Sequence, residues 1–217
     1  MDKQDRTNNH PLNELQKEEL AAKARQLFET SIEVKKQVAE SHLEVIVAMA
    51  GILRDTLLSG GKILICGNGG SAADAQHLAA ELVVRLRPHV NRAGLPAIAL
   101  AGDPSSITAC GNDYSFEAYY ERMTRTFGRP GDVLLGISTS GKSVNVIRAL
   151  MAAREIGMTA LGFLGGDGGP ALVACDLALV VPSAETGRIQ ESHITAGHAL
   201  MELVEDLLLE AGYLVQE

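Results

Sequence analysis

Two spacings of apolar residues divide the chain near residue 60. From Asn13 to about Ser59 they recur at helical intervals, first Leu20, Ala24, Leu27, Ile32 and Val38, then Leu43, Ile46, Met49, Ile52 and Leu57. This pattern predicts about two long helices. After "SGGK" the pattern becomes short continuous runs, "KILIC", "PAIAL", "DVLLGI", "TALGFL" and "LALVV", bounded by glycine, proline or aspartate. Runs without polar alternation belong to strands covered on both faces, and here they alternate with helical stretches. The prediction is an α/β fold with a doubly wound, five-stranded parallel sheet and additional N-terminal helices. The crossovers are expected at a helix from about Ala72, at Pro104 to Phe127, at Ser143 to Ile156 and at a short segment near Gly169 to Ala174. The last helix is "RIQESHITAGHALMELVEDLLLEAG", with Gly212 where a cap is expected and a Leu203, Leu207 and Leu208 stripe that packs.

Composition narrows the function. Residues 1–12 are polar and are expected to be flexible, which leaves 13–217 as a single domain. A formal charge of -8 disfavours a phosphate-backbone partner, so nucleic acid is not expected. There is no run of eighteen apolar residues, and the N-terminus lacks the apolar core of a signal peptide. The expectation is a soluble, cytoplasmic protein with no membrane partner. Cys66, Cys110 and Cys175 are odd in number and widely spaced, as small core residues are, and they suggest neither a disulfide framework nor a thiolate metal site.

Two loops follow strands at the carboxyl ends, where open α/β sheets bind ligands. "GNGGS", Gly67 to Ser71, lets backbone approach a ligand closely before a helix N-terminus; "STSGKS", Ser138 to Ser143, supplies four hydroxyls and a glycine turn. Each loop taken alone is also explained by plain turn chemistry. Neither matches a nucleotide fingerprint. With Gly67 and Gly69 as the first pair of GxGxxG, the third glycine falls at Ala72, and no acidic residue ends "PAIAL", Asp103 lying beyond Gly102. "GISTSGKS" has Leu135 where a P-loop has its leading glycine. A hydroxyl-rich loop suits the monoester phosphate of a small sugar. On the following helix His77 and Glu81 stand at i,i+4 on one face, a spacing also common among surface partners, although Ala73, Ala79, Ala80 and Leu82 around them indicate a packed helix.

The segments "CGNGGSAADAQH", "GDVLLGISTSGKS", "DGG" at Asp167 to Gly169 and "RIQESHITAGH" resemble the sugar isomerase (SIS) domain family, in particular its branch that acts on heptose phosphates. The resemblance runs in order over all but the first dozen residues. It implies the SIS-type, flavodoxin-like strand order and the interconversion of sedoheptulose 7-phosphate and D-glycero-D-manno-heptose 7-phosphate. It further implies one Zn2+ per active site and a homotetramer with sites at subunit interfaces. Substrate contacts are implied for Asn68, Gly69, Gly70, Ser71, Glu81, Asn112, Asp113, Ser138, Thr139, Ser140, Ser143 and Gln190. Zinc ligands are implied at His77, Glu81, Gln190 and His198, with Glu81 as base and His198 as acid. Some relatives carry an aspartate where this chain has Gly187; Glu185 or Asp74 could serve instead.

The chemistry accepts these types: moving a proton between adjacent carbons through an enediolate needs a base, an acid and stabilisation of an oxyanion. On the last helix Gln190 and His198 are eight apart, about 80° on an ideal wheel, while Glu191 and His198 nearly align, so geometry alone favours Glu191 and only the resemblance selects Gln190. His193 reads as a polar or interface residue, His10 and His89 as surface groups, and Arg85 and Arg87 as solvated residues continuing the Glu81 helix. Two other functions are compatible with the loops: a non-catalytic SIS tetramer binding the replication initiator DnaA, and a sensor or isomerase for another sugar phosphate. The presence of both Glu81 and His198 weighs against the scaffold.

Overall fold

The computed structural model describes residues 11–214. Asn13 starts the first helix by a capping box: its Oδ1 accepts from Gln16 N at 2.8 Å, and Gln16 Oε1 accepts from Asn13 N at 3.0 Å. The elements then run α1 (Glu14–Ser41), α2 (Leu43–Leu58), β1 (Ile63–Gly67), α3 (Gly70–Val83), β2 (Ala97–Ala99), α4 (Pro104–Asp113), α5 (Tyr119–Phe127), β3 (Val133–Ser138), α6 (Val144–Glu155), β4 (Thr159–Gly165), β5 (Leu177–Val181) and α7 (Thr186–Glu210). Short 3₁₀ turns cover Phe116–Ala118 and Gly169–Ala174. The five expected strands are all present, "PAIAL" shortened to three residues.

All strands are parallel in the order β2-β1-β3-β4-β5. Alternate residues of β1 point to opposite faces. Ile63 and Ile65 join a core with α2, α3 and α7, while Leu64 and Cys66 join a second core with α4, α5 and α6. Every residue of β1 and β3 is buried, which explains the unbroken apolar runs. The chain leaves β1 for β2 in one direction and continues through β3 in the other, so the crevice between the β1 and β3 carboxyl ends is the topological switch point. Both glycine and hydroxyl loops open there.

Several expectations are corrected by packing. In α1 only Ser31, Val34 and Val38 are buried, whereas Leu20, Leu27 and Ile32 are exposed because only the C-terminal part of the helix rests on α7 and α2. The chain leaves α3 after Val83, so Arg85 and Arg87 are not on the Glu81 helix. Arg87 is not solvated either: it pairs with Glu205 and Asp206 of α7. Gly212 follows the α7 cap at φ +69, its N–H bonded to Leu209 O at 3.0 Å. His89 is exposed, and His10 lies outside the described residues. Cys66 and Cys110 are buried and Cys175 half-buried, with burial pushing the Cys66 and Cys175 thiols up to about 12. Among the described residues no helix is long and apolar enough to cross a membrane.

Candidate active site

The turn from β1 into α3 is shaped by glycine. Gly69 caps α3 at φ 57 and ψ -120, a conformation closed to residues with a Cβ. Asn68 O receives Ser71 N at 3.0 Å, and Ser71 folds beneath the turn, leaving only 3% of its surface exposed. Tyr120 of α5 donates its hydroxyl to Gly67 O and anchors the strand end. Asn68 is held by Asn145 of α6 in a reciprocal amide pair of 2.8 and 2.9 Å. Asn145 is buried and was not singled out from the sequence; its only signal there is a polar residue inside the apolar run "VNVI".

In the second loop Ser138 is buried and donates to Ser143 Oγ at 3.1 Å, while Ser140 is exposed and its Oγ accepts from Lys142 N at 3.2 Å. Gly141, at φ +62, lies so close to Gly168 that a Cβ would stand 2.0 Å from its carbonyl oxygen. Ala171 N bonds to Gly141 O at 2.9 Å, and Asp167 Oδ1 accepts from Gly169 N at 3.0 Å. The "DGG" motif is thus the surface on which the hydroxyl loop rests. Between them Thr139, Ser140, Lys142, Gly166, Asp167 and Ser183 line a cavity of about 190 Å³.

α3 and α7 lie side by side and parallel, and their register assembles the ionisable group. A Cβ on Gly70 would stand 2.4 Å from Gln190 Nε2, and one on Gly197 would stand 2.7 Å from a Leu78 methyl. Close approach at Gly197 brings the neighbouring residue, His198, onto α3: His77 Nε2 and His198 Nε2 are 2.8 Å apart, and His77 Nε2 is 3.3 Å from Glu81 Oε1. Ligand atoms of the three residues lie within 4.8 Å of one another. Donors around a tetrahedral zinc with bonds of about 2.0–2.1 Å stand roughly 3.3 Å apart, so this set of two imidazoles and a carboxylate fits a zinc ion. His77 is about half exposed and Glu81 more enclosed, side-chain values being 47% and 15%.

The structure separates the remaining candidates. Gln190 lies over Gly70 at the start of α3, two turns before His77. Glu191, the choice of ideal wheel geometry, instead accepts from Ser31 of α1 and from Arg188 at 2.7 Å. Asn112 and Asp113 end α4 on the other face of the sheet, exposed and bonded to each other at 2.8 Å. Gly187 is exposed, with nothing within 4 Å of an added Cβ, and Glu185 is the exposed cap residue of α7. Asp74 is half-buried one turn before His77. Its Oδ2 has no hydrogen-bond partner, and burial raises its carboxyl above the usual value while His77 opposes the shift. His193 is not an interface residue: it is fully buried, with Nε2 2.9 Å from Leu164 O and its ring stacked on Phe163.

A parallel sheet with a glycine loop and a hydroxyl loop at its switch point, and a His/Glu/His group between the helix that the glycine loop opens and α7, defines an α/β protein with a candidate metal site. Comparison places it: residues 26–165 match the SIS domain family model. The phosphoheptose isomerase of Chlorobaculum parvum is 53% identical over 82% of this chain and 86% of that protein. That of Aquifex aeolicus is 50% identical over 87% and 97%. The solved structure of the Neisseria gonorrhoeae phosphoheptose isomerase superposes with a TM-score of 0.81 at 42% identity, covering 86% of this chain and 99% of that one. The chain belongs to the SIS domain family and, within it, to the phosphoheptose isomerases.

Proposed function

We propose that the chain interconverts sedoheptulose 7-phosphate and D-glycero-D-manno-heptose 7-phosphate in the cytoplasm, supplying heptose for bacterial surface polysaccharide. The observation that carries this reading is the convergence of His77, Glu81 and His198 between α7 and α3, the helix that the glycine loop opens. Ser138, Thr139, Ser140 and Ser143, with the N-terminal end of α6, hold the phosphate, while Asn68, Gly69 and Gly70, with Ser71 beneath them, form the facing wall. His77, Glu81 and His198 would hold one Zn2+, with Gln190 a fourth ligand on the resemblance alone, its amide lying two turns away over Gly70. When bound, that ion supplies Lewis-acid polarisation of the sugar oxygens at the reacting carbons.

Glu81 takes the proton from C1 of the ketose and returns it to C2. His198 protonates O2 as the C2 carbonyl is lost and takes back the O1 hydroxyl's proton as the C1 carbonyl forms, so every proton is conserved and no redox partner is needed. The protein acts as a homotetramer in which the exposed Asn112 and Asp113 complete a neighbouring subunit's site. The exposed Leu20, Leu27, Phe28 and Ile32 on α1 support such an assembly, being apolar surface that the other described residues leave uncovered.

The test is to incubate zinc-loaded protein with sedoheptulose 7-phosphate and follow the aldose by NMR, with Glu81→Gln and His198→Asn alongside. Turnover in the wild type that is lost in both variants is expected. A folded, zinc-loaded tetramer that leaves the ketose untouched would overturn the reading in favour of another sugar phosphate.

A further inference from the structure

The C-terminal end of α3 is closed by a buried guanidinium that no part of the chemistry above uses. After α3 the chain folds back so tightly that a Cβ on Gly94 would stand 2.5 Å from Val83 O. This return places Arg92, with 2% of its side chain exposed, under the helix end. Its Nη2 donates to Glu81 O at 2.9 Å, and its Nη1 donates to Leu82 O and Ala93 O at 3.0 Å each. Glu81 O and Leu82 O are among the last carbonyls of the helix, which have no partner inside it. The third nitrogen, Nε, donates to Oε1 of Glu205 on α7, and Arg87 Nε donates to the other oxygen of that carboxylate. Glu205 is also 2% exposed.

The two ends of this bridge are the two helices of the candidate site. One is the helix of His77 and Glu81, seized at the backbone of Glu81 itself. The other is α7, where Glu205 follows His198 by seven residues, within about 20° of the same stripe. A buried ion pair is weak evidence of stabilisation, since well-packed apolar residues often replace one without loss. Its geometric content here is high: a planar fork satisfies two helix carbonyls, a loop carbonyl and a carboxylate at once, which the single ammonium of lysine does not. Metal and catalytic groups need to be held within about 0.5 Å of their working positions.

We infer that Arg92 is a positioning residue, which by locking the end of α3 to Glu205 holds Glu81 and His77 at their working distance from His198. The inference rests on the zinc and catalytic roles proposed for those three residues.

The test compares wild type, Arg92→Lys and a control, Asp132→Asn, which breaks the Lys62–Asp132 pair just before β1 and β3, a pair with no hydrogen bond to α3 or α7 among the described residues. Zinc affinity is measured by chelator competition, kcat and KM with sedoheptulose 7-phosphate, and the imidazole NMR signals of His77 and His198 in zinc-free protein. Arg92→Lys is expected to weaken zinc binding about 10-fold or more, the usual effect of losing a group that orients metal ligands. It is also expected to lower kcat with little change in KM and to shift both imidazole signals, while the control leaves all three readouts unchanged. Equal behaviour of Arg92→Lys and wild type overturns the inference, as does an equal loss in the control, which reports general loosening. If Arg92→Lys does not fold, Glu205→Gln, which keeps the accepting oxygen, is judged by the same readouts. A wild type that binds zinc without turning over the sugar ends the isomerase reading alone, and Arg92 is then judged on zinc affinity and the imidazole signals.

Discussion

Lowering the pH from about 7 to 4 should destabilise the fold through His193, by an amount that follows from its surroundings. The ring has no exposed surface and stacks on Phe163 with centroids 5.7 Å apart. Because Nε2 faces a carbonyl, it carries the hydrogen, and the buried Nδ1 has no partner. Adding a proton at Nδ1 would bury a charge and an unpaired N–H, and burial accordingly pushes the imidazole down to about 4 from 6.5. Between these values the unfolded chain binds a proton that the folded chain refuses. Stability is therefore fully present above pH 6.5 and is lost as the pH falls toward 4. A gap of about 2.5 units at 1.36 kcal/mol per unit amounts to about 3 kcal/mol. Urea unfolding of wild type and His193→Gln across this range isolates the effect, since other titrating groups are common to both and glutamine keeps a donor toward Leu164 O. The wild type is expected to lose about 3 kcal/mol more than the variant over the range. Parallel curves for the two proteins would refute the reasoning.

Three further outcomes are expected. Gly70→Ala suits the helical backbone, so thermal stability should hold. The new methyl evicts the Gln190 amide, so zinc affinity and turnover should fall several-fold, and unchanged zinc affinity would remove Gln190 from the ligand set. Gly187→Asp enters open space in the first turn of α7, where a carboxylate meets the helix dipole; calorimetry should show a gain of roughly 0.3–1 kcal/mol, and a loss would contradict the open environment. Asn145→Ala removes the amide that clamps Asn68, at a cost of about 1–3 kcal/mol. Its KM for the sugar phosphate should rise more than its kcat falls, and an unchanged KM would detach Asn68 from substrate.

Much of this molecule is written locally. The five apolar runs each belong to a strand covered on both faces, and glycines mark the turns where a helix N-terminus meets a strand end. The spacing of His77 and Glu81 needs only one helix to be meaningful. What periodicity cannot encode is which faces meet and at what register, because that depends on contacts between residues far apart in the chain. An ideal wheel pairs His198 with Glu191, yet Glu191 is occupied by Ser31 and Arg188, while the parallel packing of α7 on α3 turns Gln190 toward Gly70. The burial of His193, the clasp of Asn145 on Asn68 and the capture of α3 by Arg92 are likewise invisible in their neighbours along the sequence. The sequence by itself determined the sheet, its loops and the chemical types at the site; the close approach of two helices at Gly197 and Leu78, possible only where a side chain is missing, decided which of those types came within reach of one another.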